Sequence, residues 1–139
     1  MRKTLMVWLM SSAMVATPLA AAHAETSITC MYMLMRVYKA ELDVCKVPLS
    51  ADRDARYQRM RTSLETFIRT HAKNDPNRIL AGIENSNIKR ALAGLKSCKS
   101  DDFKYAQQAM EKMTTAENEK SVAGTLSIVR DPQSGDCSS

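Results

Sequence analysis

Sulfur-bearing side chains are the first candidates for chemistry in this 139-residue chain. The segment Cys30-Met31-Tyr32-Met33-Leu34-Met35 gathers soft sulfur donors, which suit cuprous copper when they alternate along an extended strand. If the segment is helical, Met31 and Met35 share one face while Met33 points elsewhere, as expected of methionines that fill a core. We favour the core interpretation and predict no metal or other cofactor.

His71 is the only histidine after residue 24, so zinc sites built on two or three imidazoles are excluded. A serine or cysteine nucleophile would need His71 as its base, and no Gly-x-Ser-x-Gly motif marks such a nucleophile. Three pairs of carboxylates could hydrolyse glycosides, but each falls at a predicted helix start, where acids stabilise the helix dipole: Asp52 with Asp54, Asp101 with Asp102, and Glu117 with Glu119. The sequence therefore predicts a protein that is not an enzyme.

Three arginines form a basic stripe at the start of the second predicted helix: Arg53, Arg56 and Arg59. Guanidinium groups spaced in this way could contact an acidic protein or an anionic surface. Asp52 and Asp54 lie beside them, so the alternative is an ordinary solvated helix face. We name these three arginines as the candidate binding residues.

The charge of the chain is unevenly distributed. Residues 25–99 carry fourteen basic and eight acidic side chains, whereas residues 100–139 carry four and seven. A negative tail packed along a positive bundle explains this imbalance, and the alternative is a basic face that binds a partner. The net charge of +3 after residue 24 is too small to indicate nucleic acid.

Residues 1–24 have the features of a secretory signal peptide. Basic residues at positions 2 and 3 precede an apolar stretch from Leu5 to Ala22, and Ala22-His23-Ala24 supplies a small-x-small exit. Because Pro18 interrupts it, about seventeen residues of this stretch would have to serve, at the short limit for crossing a bilayer. We expect cleavage after Ala24, no stable membrane anchor, a periplasmic or secreted destination, and a single helical domain over residues 25–139.

Helices must position all of these side chains. Apolar residues recurring every three or four positions predict four main helices, over about 27–45, 51–73, from 76 onward, and 101–114. Within the third, Asn85-Ser86-Asn87 is a poor helix interior, so we expect a kink or a break near Asn87.

The last segment is the hardest to interpret. The spacing Thr114-x-x-Glu117 predicts a capping box for a short fifth helix through Val122. Gly124 and the β-branched run from Thr125 to Val129 then favour an extended finish before a turn-rich tail.

Four cysteines in an exported domain predict two disulfides. Cys30 and Cys45 lie fifteen residues apart on one helix, which is roughly 22 Å and far beyond bonding reach. If the helices alternate in direction, Cys45 meets Cys98 and Cys30 meets Cys137. The converse pairing requires the third helix to break and reverse at Asn87.

The sequence thus predicts an all-α, antiparallel bundle of four or five helices with two disulfides. Its expected role is to bind another envelope or secreted protein, as a chaperone, inhibitor or immunity-type partner. The alternative is a carrier that holds a small hydrophobic ligand, haem or a soft metal in the bundle interior.

Overall fold

Helices follow one another along nearly the whole of residues 25–137, the part of the chain that this computed structural model describes. The predicted signal peptide, residues 1–24, lies outside the described residues. The elements are α1 (Ile28–Val44), α2 (Ala51–His71), α3 (Pro76–Gly82), a π turn (Ile83–Asn87), α4 (Ile88–Gly94), α5 (Asp101–Met113) and α6 (Ala116–Leu126). The predicted all-α bundle is confirmed.

The helices are arranged as three layers. The α1–α2 pair forms the middle layer, with α3, the π turn and α4 packed on one side of it. On the other side α5 packs on α1, and α6 packs on α2. Because α1 and α2 touch both outer layers, their large side chains make up most of the buried core: Ile28, Tyr32, Met35, Leu42, Tyr57, Met60, Leu64, Phe67 and Ile68.

Where a polar side chain caps a helix, the helix start predicted from the sequence agrees with the structure. The Asp75 carboxylate accepts from the Asn77 amide at 2.9 Å, with Pro76 as the first helical residue. The hydroxyl of Ser100 accepts from the Phe103 amide at 3.3 Å and starts α5. Each of these caps satisfies an amide that has no partner inside its helix.

The third predicted helix continues through Asn87 without a break. The Ile88 amide donates to the carbonyl of Ile83, five residues earlier, so the backbone makes one π turn between α3 and α4. Five residues of α-helix would leave Ile88 about 140° away from Ile83 around the axis. The wider π turn reduces this offset, and both side chains are buried against the middle layer.

Two expectations for the last helix are wrong. Thr115, not Thr114, caps α6 by accepting from the Asn118 amide at 3.1 Å. Thr114 instead ends α5, and its buried hydroxyl donates to the Met110 carbonyl at 2.6 Å. The predicted extended finish begins too early, because α6 runs past Gly124 to Leu126. Packing against α2 stabilises the last turn of α6, around Gly124, despite the weak helix propensity of that segment.

The predicted disulfide pairing is confirmed. Cys45 bonds Cys98 with their Cα atoms 5.6 Å apart, and Cys30 bonds Cys137 at 5.4 Å. Because the third helix does not reverse, the converse pairing is excluded. Two disulfides indicate an oxidising, extracytoplasmic location.

The C-terminal tail is fixed to the start of α1. The carbonyl of buried Pro132 accepts from the Thr29 amide at 2.9 Å and from the Ser27 hydroxyl at 3.0 Å. Thr26 and Asp136 form a parallel bridge, which brings the chain past Gly135. A Cβ atom at Gly135 would lie 2.0 Å from the Glu25 carbonyl oxygen, and φ there is +102°, so only glycine fits.

Candidate functional site

An apolar groove lies between α5 and α6. Since α5 packs on α1 and α6 packs on α2, the two outer helices leave a space between them whose floor is the middle layer. Its deeper part has a volume of about 200 Å³. The side chains that line it come from four helices and the residue before α1: Thr26, Met31, Leu34, Met35, Tyr38, Met60, Leu64, Tyr105, Ala109, Met113, Asn118 and Val122.

Four of the six methionines after residue 24 meet in this groove. Met35 and Met60 are buried, as the core interpretation predicts, whereas Met31 and Met113 are half-buried and line the opening. The amide nitrogen of Asn118 lies 3.9 Å from the Met60 sulfur, as a weak donor. Methionine side chains are flexible and polarisable, so such a lining adapts to ligands of different shape.

A second pocket of about 300 Å³ continues the groove toward the C-terminal tail and shares Thr26 and Met31 with the first. We call the two together the methionine groove. Large apolar side chains stand exposed at its two ends, Tyr105 at 61 % and Ile128 at 62 %. The apolar surface therefore extends beyond the cavity itself.

The methionine groove is almost uncharged. Among residues 25–137 its only charged lining residues are Glu25 and Arg130, which form an ion pair with each other at the outer end. Burial, together with the neighbouring Tyr105, raises the pKa of Tyr38, and the two rings pack edge to face with centroids 6.0 Å apart. Tyr38 therefore stays neutral at physiological pH, and the groove is suited to an uncharged, apolar occupant.

The predicted arginine stripe lies along the contact between α2 and the α5–α6 turn. Arg53 donates to the backbone carbonyl of Glu111 and, at 3.1 Å, to the Thr114 hydroxyl. It thereby caps the C-terminal end of α5.

Farther along the stripe, Arg59 makes two hydrogen bonds to the Glu119 carboxylate, at 2.6 and 3.0 Å. These bonds, helped by the charge of half-buried Arg56, lower the pKa of Glu119. Two of the three arginines are thus bonded within the fold. A contact between the stripe and a partner stays a prediction.

His71 lies in a shallow cleft between α2 and α6 that also contains the hydroxyls of Thr66, Thr70 and Ser127. Its ring packs against Phe67 with centroids 4.4 Å apart. The hydroxyls of Thr70 and Ser127 donate to backbone carbonyls, at 2.8 and 2.6 Å. Across residues 25–137, no hydrogen bond joins His71 to a hydroxyl that it could activate as a base.

One polar cluster was missed by the sequence reasoning. Arg36 donates twice to Glu84, at 2.7 and 2.8 Å, and once to the hydroxyl of buried Tyr57, at 2.8 Å. It therefore ties α1 to the π turn and to α2. A sequence signal existed, since Arg36 is the only charged residue between Ile28 and Tyr38.

Neither a metal centre nor a membrane span is found in the described range. Among residues 25–137 no three histidine, cysteine or carboxylate side chains gather in a way that could hold a metal ion. None of the helices there combines the length and the hydropathy that a bilayer crossing needs.

A scan against protein-family models and searches of curated proteins and of solved structures returned no match.

Proposed function

We propose that this protein acts outside the cytoplasm as a non-enzymatic binding protein that receives an apolar segment of another protein in its methionine groove. The observation that carries the proposal is the open, uncharged space between α5 and α6, with its four methionines. The predicted signal peptide and the two disulfides support a periplasmic or secreted destination.

The deeper pocket of the methionine groove has the size of a side chain, and the second pocket, of about 300 Å³, extends it toward the tail. Clefts that enclose drug-sized ligands are about 300 to 1,000 Å³. The deeper pocket, at about 200 Å³, is smaller than that and matches one or two large apolar side chains. An anchor residue of a partner protein would fill it and leave the rest of the partner outside.

The exposed ends of the groove support the same occupant. Tyr105 and Ile128 line the groove, yet more than half of each side chain remains exposed to solvent, and a protein partner can cover it. Tyrosine and methionine are enriched in protein interfaces, and energetically dominant contacts cluster around well-packed central pockets. A partner that inserts an anchor would also cover these two side chains.

A photo-crosslinking experiment tests the proposal. A photoreactive amino acid replaces Tyr105 in the oxidised protein without its signal, which is then illuminated in envelope extract from the producing cells. We expect a discrete protein adduct that disappears when Ala109→Phe fills the groove. The matched variant Ala55→Phe adds the same ring to an exposed site on α2 and should leave the adduct unchanged.

The two variants need a check on folding, by circular dichroism and thermal unfolding. If Ala109→Phe fails to fold, Ile128→Ser at the exposed end of the groove takes its place, with weaker crosslinking as the expected result. An adduct indifferent to both groove variants, or no protein adduct at all, contradicts the proposal.

A second candidate function rests on the same methionines. Their thioethers and the apolar lining suit a short hydrophobic ligand or a soft metal ion, in the manner of a carrier. The deeper pocket by itself, at about 200 Å³, is small for haem. Native mass spectrometry of the protein as purified separates the two functions, since a carrier retains a stoichiometric ligand and the protein-binding role predicts the bare polypeptide.

A further inference from the structure

The outer face of α3, the π turn and α4 is strongly basic. Between residues 76 and 100 the only acidic side chain is Glu84, which Arg36 holds through two hydrogen bonds. Arg78, Lys89 and Arg90 are exposed on these helices, and two further exposed cations, Lys96 and Lys99, follow in the connection after α4. We call these five residues the basic face.

The acidic part of the chain does not neutralise the basic face. In residues 100–139, Glu119 pairs with Arg59 of α2, and Asp101 pairs with Lys104 of its own helix. The tail that carries Asp136 is fixed to the start of α1. Among the ion pairs of residues 25–137, none includes a member of the basic face. Within the described part of the chain, the predicted packing of a negative tail along the positive bundle therefore does not pair these cations.

The exposed side chains between the cations are short. The exposed residues that separate Arg78 from Lys89 and Arg90 are Ala81, Asn85 and Ser86, and Ala93 follows on the next turn. A rigid partner can approach such a surface closely. Amphipathic helices that lie on a membrane insert large apolar side chains into the lipid, and on this face none is exposed.

We propose that the basic face docks an acidic surface of a protein partner. The inference rests on the protein-binding function proposed above and adds the chemistry of the partner. The methionine groove lies on the opposite side of the α1–α2 pair, so the two surfaces can be tested separately. Complementary charge of this kind accelerates association and selects partners, and its effect weakens as salt is added.

The test uses the oxidised protein without its signal and a helical probe peptide that carries a glutamate on every turn. We expect binding whose dissociation constant rises about tenfold between about 50 and 300 mM salt. The triple variant Arg78→Glu, Lys89→Glu, Arg90→Glu should weaken binding by more than tenfold, because like charges are then opposed.

A matched variant separates local charge from net charge. Reversing Lys104, Lys112 and Lys120 to glutamate changes the net charge equally but on the α5–α6 layer, where all three are exposed, and should leave binding within about twofold. Equal losses in the two triple variants would show a net-charge effect and overturn the proposal. If the reversed basic face fails to fold, the glutamine variant Arg78→Gln, Lys89→Gln, Arg90→Gln replaces it, with the same direction expected.

Two further arms complete the test. Vesicles of phosphatidylglycerol and phosphatidylcholine should bind no better to the original protein than to the reversed variant, and binding to vesicles without binding to the peptide would overturn the proposal. Ala109→Phe should keep its affinity for the acidic peptide. If Ala109→Phe loses groove crosslinking but still binds the peptide, both proposed surfaces are supported. If the protein does not bind the peptide while groove crosslinking is observed, only the proposal for the basic face is overturned.

Discussion

The guanidinium of Arg36 and the carboxylate of Glu84 form a two-bond ion pair between α1 and the π turn, with nitrogen to oxygen distances of 2.7 and 2.8 Å. The hydrogen bonds to Arg36 lower the pKa of Glu84. The pair also holds the turn at which α3 passes into α4.

Glu84→Gln should destabilise the fold at neutral pH by about 1 kcal/mol, a value reduced for screening because the carboxylate side chain is 38 % exposed. Since the pKa of Glu84 is lowered in the fold, its contribution is present above the ordinary carboxyl pKa and is lost as the pH falls through the lowered value. Urea unfolding at several pH values measures this. The difference from the original protein should shrink in acid, and Glu117→Gln serves as the exposed control.

Glu41 should show the opposite pH dependence. Burial, together with the nearby charge of Asp102, raises the pKa of its carboxyl, and the residue is only 9 % exposed. A raised carboxyl pKa means that the folded state binds the proton more tightly, so stability increases as the pH falls toward that pKa. Glu41→Gln should therefore raise the unfolding midpoint at pH 7. In this variant the midpoint should also depend less on pH between pH 7 and mild acid. A lower midpoint for this variant at pH 7 would contradict the assignment.

Arg53→Ala should cost about 1 to 2 kcal/mol of unfolding free energy, because it removes two hydrogen bonds at the end of α5 and leaves the Glu111 carbonyl without this donor. Arg56→Ala, in the same stripe, should have a much smaller effect. Chemical denaturation measures both values. If both variants lose equally little unfolding free energy, the stripe does not stabilise the fold, and the partner contact predicted from the sequence is favoured.

Each disulfide should stabilise the fold substantially. Loops of 53 and 107 residues correspond to about 4 to 5 kcal/mol for either bond alone on the loop-entropy model, and less for the second bond once the first exists. Reductant should lower the thermal unfolding midpoint by a large amount. A variant in which both cysteines of one pair are replaced by serine should have a midpoint between those of the oxidised and the reduced protein. A midpoint that reductant does not move would disprove this prediction.

The disulfide pairing could be derived from the sequence because it depends on helix length and direction alone. The rise per residue separates Cys30 from Cys45, and alternating helices bring Cys45 to Cys98. Neither step requires knowledge of side-chain packing.

The continuity of the third helix could not be derived in the same way. Asn85-Ser86-Asn87 has weak helix propensity, and the apolar residues on its two sides, Ile83 and Ile88, are out of phase in a regular α-helix. A single π turn brings both to the core without breaking the helix. Burial of Ile88 and the Arg36 bonds to Glu84 favour that turn, and both are long-range effects that local propensity does not contain.

The methionine groove was only half predictable. Helical spacing shows that Met31 and Met35 share a face, but not that the neighbouring helices diverge above it. That divergence follows from α5 packing on α1 while α6 packs on α2. Met35 is buried in the core as expected, whereas Met31 is half-buried at the opening, which only the tertiary arrangement creates.

The bridge between Thr26 and Asp136 has a practical consequence for handling the protein. Residues 25 and 137 are adjacent at one pole, and Glu25 and Thr26 also line the methionine groove. An affinity tag or a fusion partner joined at either position would emerge beside the groove and compete for it. The exposed Pro48, in the connection between α1 and α2, lies at the other end of α1 and offers an insertion point for labels that keeps this pole clear.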